Sequence, residues 1–270
     1  MKKNFKFINI FVIVVLLFTI TSCTYEKTPN TESNHIVKYE NINITDFNQM
    51  LEVAIDKASY SSVAIIASKG GIFSSSSLGS GVVIGKNGTN YYALTNRHVI
   101  EFERTDPSKT NVKVFFSANE NDYVDGTVLV YDKQVDIAVI GFTTTKNISI
   151  ATISNQDTIN KGSICFAYGS PYDLSYFGTA TLGIVSYESR VFIDEMYNSN
   201  TEVENLYIQH DAAINSGNSG GGLFDIYGNL VGINTLKLVG DDNEIDGIGF
   251  AIPIEVIKGL TNFNKYFIEN

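Results

Sequence analysis

Gly217-Asn218-Ser219-Gly220-Gly221 sets a single serine between glycines. A serine hydroxyl is a poor nucleophile unless a neighbouring base takes its proton. It also needs backbone N–H groups aimed at the oxyanion that forms on the attacked carbonyl. Glycine on both sides permits a tight turn that presents the hydroxyl and those N–H groups together. Taken alone, the run reads equally as a glycine-rich β-turn, so its meaning depends on what precedes it.

Upstream, Tyr91 to Leu94 is an apolar strand that runs into the polar turn Thr95-Asn96-Arg97-His98. An imidazole with an ordinary pKa near 6.5 suits a general base. Of the other two histidines, His35 lies in a polar N-terminal stretch. His210 reads as a surface residue at a strand end, with a pH-sensitive loop contact as the alternative. Between histidine and serine, Asp136 heads the apolar run Ile137-Ala138-Val139-Ile140. Burying a carboxylate there is costly unless it is paired. Orienting a catalytic histidine is one reason for it, and capping a strand is the other. The order His98, Asp136, Ser219 is that of the chymotrypsin barrels, not of subtilisin or the α/β-hydrolases.

The background agrees with that order. Short β-rich runs split by Gly, Asn, Asp and Ser fall at 62–68, 80–85, 90–95, 111–116, 124–131, 135–142, 163–168, 180–187, 205–209, 222–226, 230–236 and 247–252. A dozen strands at this spacing predict an all-β fold of two six-stranded antiparallel β-barrels, approximately 45–145 and 146–270. Phe47 to Ala58 has helical apolar spacing after an N-cap at Thr45 or Asp46. Pro253 is placed to start a short C-terminal helix, with Val256, Leu260 and Phe267 as core contacts.

These segments resemble the HtrA/Deg-type trypsin-like serine proteases. Thr95-Asn96-Arg97-His98-Val99-Ile100 is similar to their T-N-x-H-V segment, and Asp136-Ile137-Ala138-Val139 to their D-[LI]-A-[VL] strand. Asp211-Ala212-Ala213-Ile214-Asn215 through Gly221 is similar to their D-A-A-I-N-x-G-N-S-G-G block. Gly183-Ile184-Val185-Ser186, Val231-Gly232-Ile233-Asn234-Thr235 and Gly247-Ile248-Gly249-Phe250-Ala251-Ile252-Pro253 follow in the expected order. The resemblance implies that Ser219 attacks the scissile carbonyl, His98 shuttles the proton and Asp136 orients His98. It places the oxyanion hole at Gly217-Asn218-Ser219, with the N–H groups of Gly217 and Ser219 as donors. Ala213 would form the base of the S1 pocket with Ile233 and Asn234 opposite, favouring small or medium aliphatic P1 residues.

The chain departs from the family in several places. Family members usually carry one or two PDZ domains after the protease, and none is expected within these 270 residues. Gly221-Gly222 stands where Gly-Gly-Pro is usual, Ser216 stands where Pro often precedes the glycine, and His210 replaces a small polar residue. Homotrimers are common in the family, and Phe47 with its helix occupies the region that would assemble one. The implied function is a serine endopeptidase acting on unfolded or exposed protein segments. The alternatives are a processing protease of glutamyl-endopeptidase type, or a latent, non-catalytic binding module. The first would want a basic or histidine-bearing S1 wall, and the second a lost triad member.

The N-terminus reads as a signal. Lys2, Lys3 and Lys6 precede an apolar run from Ile8 to Ile20, short for a membrane span. Ile20-Thr21-Ser22-Cys23 resembles a bacterial lipobox. This gives a signal peptide over 1–22, lipidation at Cys23 and an acylated tether over 23–44, with a reach on the order of 25 Å. An extracytoplasmic, membrane-anchored lipoprotein is the expectation, with a plain secretory signal cut nearby or an uncleaved anchor as the alternatives. Cys165 lies alone in an apolar run and reads as a buried, inert thiol. The formal net charge of −10 disfavours nucleic acid as a partner. With three histidines and no Cys/His cluster, the sequence offers no ligand set for zinc and points to no cofactor.

Overall fold

The computed structural model describes residues 44–69, 75–102, 106–154, 159–194, 203–235 and 247–268. The expected signal peptide, Cys23 and the tether as far as residue 43 lie outside the described residues. Among the described residues, twelve strands close into two antiparallel barrels. The first contains β1 (Ser62–Lys69), β2 (Ser75–Asn87), β3 (Asn90–Asn96), β4 (Asn111–Phe115), β5 (Tyr123–Asp132) and β6 (Ile137–Thr143), joined in the order β1-β2-β3-β6-β5-β4. The second contains β7 (Ile164–Gly169), β8 (Thr179–Asp194), β9 (Val203–His210), β10 (Gly222–Asp225), β11 (Leu230–Thr235) and β12 (Gly249–Pro253), in the order β10-β11-β12-β9-β8-β7. Closure leaves neither sheet with a free edge.

Two strands outrun their apolar pattern. β2 begins in the polar run Ser75-Ser76-Ser77, because β1 lies opposite and supplies partners in register, Lys69 against Ser75 and Ala67 against Ser77. β8 continues past residue 187 along β9 to Asp194, with register shifts between Val185 and Tyr187 and between Tyr187 and Arg190. Such bulges bend and twist a long strand enough to follow a barrel wall.

Helix α1 spans Ile44–Ser59, starting slightly before the expected N-cap. Asp46 sits in its first turn, where a negative charge meets the positive end of the helix dipole. Ala54 and Ala58 are its buried face, whereas Met50 is exposed. At the other end Pro253 closes β12 and caps α3 (Ile254–Gly259), which buries Ile254 and Ile257. The chain then returns to the first barrel. The Ile268 carbonyl accepts the Lys86 N–H at 2.7 Å, and Tyr266 packs on Tyr92 with ring centroids 5.2 Å apart.

Each barrel has its own interior, around Ile65, Val83, Val114 and Ile140 in the first and Cys165, Ile208, Leu223 and Val231 in the second. A further core is shared by both. It contains Val82, Leu94, Ile137 and Val139 from one barrel, Phe166, Phe224, Leu230 and Ile233 from the other, and Ala54 and Ile257 from the helices. Phe166 and Phe224 stack at 5.4 Å within it. Burying this apolar surface is what fixes one barrel against the other.

Candidate active site

The pairing of β3 with β6 sets Asn96 opposite Ile137. The residues just beyond those ends therefore meet: His98, on the single helical turn α2 (Arg97–Ile100), and Asp136, which directly precedes β6. Asp136 holds a left-handed backbone with φ of 59°, strained for a residue with a side chain. Its carbonyl is tied down by the Arg97 N–H at 3.1 Å and the Asn96 Nδ2 at 3.0 Å. Its carboxylate faces the histidine twice. Oδ1 accepts the His98 backbone N–H at 2.9 Å, and Oδ2 lies 2.6 Å from His98 Nδ1. In a neutral imidazole that contact places the proton on Nδ1 and leaves Nε2 as an acceptor. The Thr235 hydroxyl, from β11 of the second barrel, donates to the same Oδ2 at 3.3 Å.

Ser219 lies on the segment between β9 and β10. Two overlapping turns shape it, Asn218 N–H to Asn215 O at 2.9 Å and Gly221 N–H to Asn218 O at 3.0 Å. Gly217 and Gly220 take φ of 97° and 84°, and a Cβ on Gly220 would lie 2.3 Å from the Ser80 carbonyl. Only glycine fits there. β11 holds the far side, where Gly220 N–H donates to Asn234 O at 2.9 Å and Asn234 N–H to Gly221 O at 2.8 Å. The Ser219 hydroxyl is buried and has no hydrogen-bond partner among the described residues, His98 included. The N–H groups of Gly217 and Ser219 likewise donate to nothing among them. An unengaged hydroxyl beside two free amide donors is the disposition that an incoming carbonyl would complete.

The residues expected around S1 divide. Ala213 is exposed, its carbonyl accepting the Thr181 hydroxyl at 2.9 Å, whereas Ile214 beside it is buried. Asn234 is buried beside the serine turn, its Nδ2 donating to Gly222 O at 2.8 Å. Ile233 is fully buried as well, within the core shared by the barrels.

His210 overturns the surface reading, being fully buried at the end of β9. In register it faces Gly249 on β12 and Val185 on β8, and a Cβ at Gly249 would lie 2.6 Å from its ring and 3.0 Å from Ile214. Burial pushes its pKa down to about 4, so the ring is neutral at neutral pH. Cys165 is buried, and that burial, with Asp211 adding to it, pushes its thiol up to about 12. Such a thiol is not a nucleophile at neutral pH.

A family model for the trypsin-like peptidase domain matches residues 79–233, a span that contains all three residues of the candidate site. The chain is 40% identical over 184 residues to a probable periplasmic serine endoprotease DegP-like of Buchnera aphidicola, covering 68% of this chain and 34% of that one. It is 38% identical over 185 residues to the periplasmic serine endoprotease DegP of Escherichia coli K12, covering 68% and 35%. It thus spans about a third of the length of these relatives. Among solved structures it is similar to the HtrA-type protease AlgW with tripeptide, at 32% identity and a TM-score of 0.59, covering 76% of this chain and 60% of that one.

Proposed function

The chain belongs to the trypsin-like peptidase family, and on that premise we propose that it is a serine endopeptidase of the HtrA type working through His98, Asp136 and Ser219. The observation that carries the reading is the 2.6 Å contact between His98 Nδ1 and the Asp136 carboxylate, made beside the turn that presents Ser219. With Nδ1 protonated toward Asp136, Nε2 takes the Ser219 proton as Oγ attacks the scissile carbonyl. The developing oxyanion meets the N–H groups of Gly217 and Ser219, with Asn218 between them shaping the turn. His98 then returns the proton to the leaving amine, and a water repeats the sequence to free the acyl group. Asp136 stabilises the imidazolium in both steps while keeping its own charge.

The substrates we propose are unfolded or exposed protein segments with small or medium aliphatic P1 residues, taken beside Ala213 and Asn234. His210 does not redirect this choice. Although it lies near Ile214, its ring is buried and neutral, so it offers an acidic P1 side chain no positive charge. The relatives named periplasmic endoproteases support an extracytoplasmic site of action. The lipobox-like Ile20-Thr21-Ser22-Cys23 supports anchoring by a lipidated Cys23, with signal peptide 1–22 removed and the tether leading to the protease domain. The exposed Ile44 and Val53 on α1 suit assembly into a homotrimer.

Digestion of unfolded β-casein beside a Ser219→Ala control, with products read by mass spectrometry, tests this. Serine-dependent cleavage after Val or Ala is expected. Cleavage after Glu or Lys would refute the pocket, and equal cleavage by the control would refute the nucleophile.

A further inference from the structure

Ser80 stands in β2 of the first barrel, yet its side chain and its N–H serve the second. It is 1% exposed. Its N–H donates to the Ser219 carbonyl at 2.8 Å. Its hydroxyl donates to the Gly217 carbonyl at 2.7 Å and accepts the Ser170 N–H at 2.9 Å. Its own carbonyl is fixed by the Thr95 hydroxyl at 2.8 Å. Glycines make room for it, since a Cβ at Gly169 would lie 2.8 Å from the Ser80 hydroxyl and one at Gly221 3.1 Å from its Cβ.

The consequence falls on Gly217. Its φ of 97° is open only to a residue without a side chain, and the same freedom lets its two peptide planes turn over. Each plane is held at its carbonyl. The Ser216 carbonyl accepts the Tyr172 N–H at 2.7 Å, and the Gly217 carbonyl accepts the Ser80 hydroxyl. In a trans peptide the C=O and the following N–H point in opposite directions. Holding the Ser216 carbonyl on the Tyr172 side therefore turns the Gly217 N–H the other way. The Gly217 carbonyl, held by Ser80, and the Asn218 N–H, held by the Asn215 carbonyl at 2.9 Å, belong to the next plane, and fixing both planes fixes the φ and ψ of Gly217 between them.

Resting on the peptidase reading above, we propose that Ser80 is a positioning residue, whose hydroxyl clamps the Gly217 turn so that its N–H stays directed at the oxyanion. The first barrel thus supplies the base and also holds the second barrel's oxyanion donors in place. A residue that acts only as packing would alter stability and leave the partition between kcat and KM alone.

The test uses the full chain with Ser80→Ala and with Ser80→Cys, which fills the site but hydrogen-bonds weakly. On a peptide that the wild type cleaves, kcat should fall about 10- to 100-fold in Ser80→Ala and less in Ser80→Cys. KM should stay within about twofold, since the oxyanion exists only after binding. A folded variant that keeps wild-type kcat overturns the proposal. A second reading needs no turnover. In a Ser219→Ala background, the Gly217 amide should give one sharp resonance with Ser80 present and an exchange-broadened one with alanine or cysteine. An unchanged resonance overturns the clamp. Absence of serine-dependent cleavage in the wild type, with the Gly217 resonance still answering to Ser80, would instead sink the peptidase reading alone.

Discussion

In the first barrel the candidate base is fixed from every side, while in the second the candidate nucleophile is fixed only through its backbone. His98 and Asp136 are placed by the β3–β6 register, two bonds to the Asp136 carbonyl and three contacts to its carboxylate. Ser219 sits on a turn shaped by left-handed glycines, with its hydroxyl unengaged. Strand register fixes the one geometry, and a glycine turn leaves the hydroxyl of the other unengaged. The second arrangement needs outside support, and Asn234 and Ser80 provide it.

The contrast can be broken on either side. The largest effect is expected at the base. Asp136→Asn keeps the volume but cannot hold the same tautomer of His98, so kcat should fall about 10⁴-fold in a steady-state assay. Next comes the surface that joins the halves. Phe224→Ala removes a stacked ring from the shared core and should lower unfolding stability by about 3–5 kcal/mol in urea titration. On the nucleophile side, a Cβ at Gly217 would lie 2.4 Å from the Ser170 carbonyl, so Gly217→Ala must displace the turn. It should reduce kcat by about 10²–10³ through the lost oxyanion donor, with KM little changed.

The smallest effect concerns His210. Its pKa in the folded protein, about 4, lies below the unfolded value near 6.5, so the unfolded chain binds the proton first as pH falls. Stability from keeping the ring neutral is full above pH 6.5 and is lost progressively between 6.5 and 4. From pH 7 to pH 5 the wild type should lose about 2 kcal/mol more than His210→Gln. Equal losses would mean that the histidine is solvated.

Much of this was readable in the sequence because it is local. Alternating and continuous apolar runs give all twelve strands, and glycine spacing gives the serine turn. What escaped depends on the other barrel. Thr235 bonds to Asp136 across the interface, and Ser80 sits in an unremarked Gly-Ser-Gly run whose meaning lies in the serine turn opposite. His210 looks polar and terminal along the chain, and only the closed pairing of β9 with β12 and β8 turns it inward. Ile233 lies in the shared core, a placement the motif leaves unstated, because one residue along a strand changes the face it occupies.

That the two barrels combine to activate one hydroxyl is tested first by labelling with a fluorophosphonate and locating the adduct by peptide mass spectrometry. A single adduct on Ser219 should form in the wild type and be lost in His98→Ala. An adduct on another residue, or labelling of Ser219 at the same rate without His98, would contradict it.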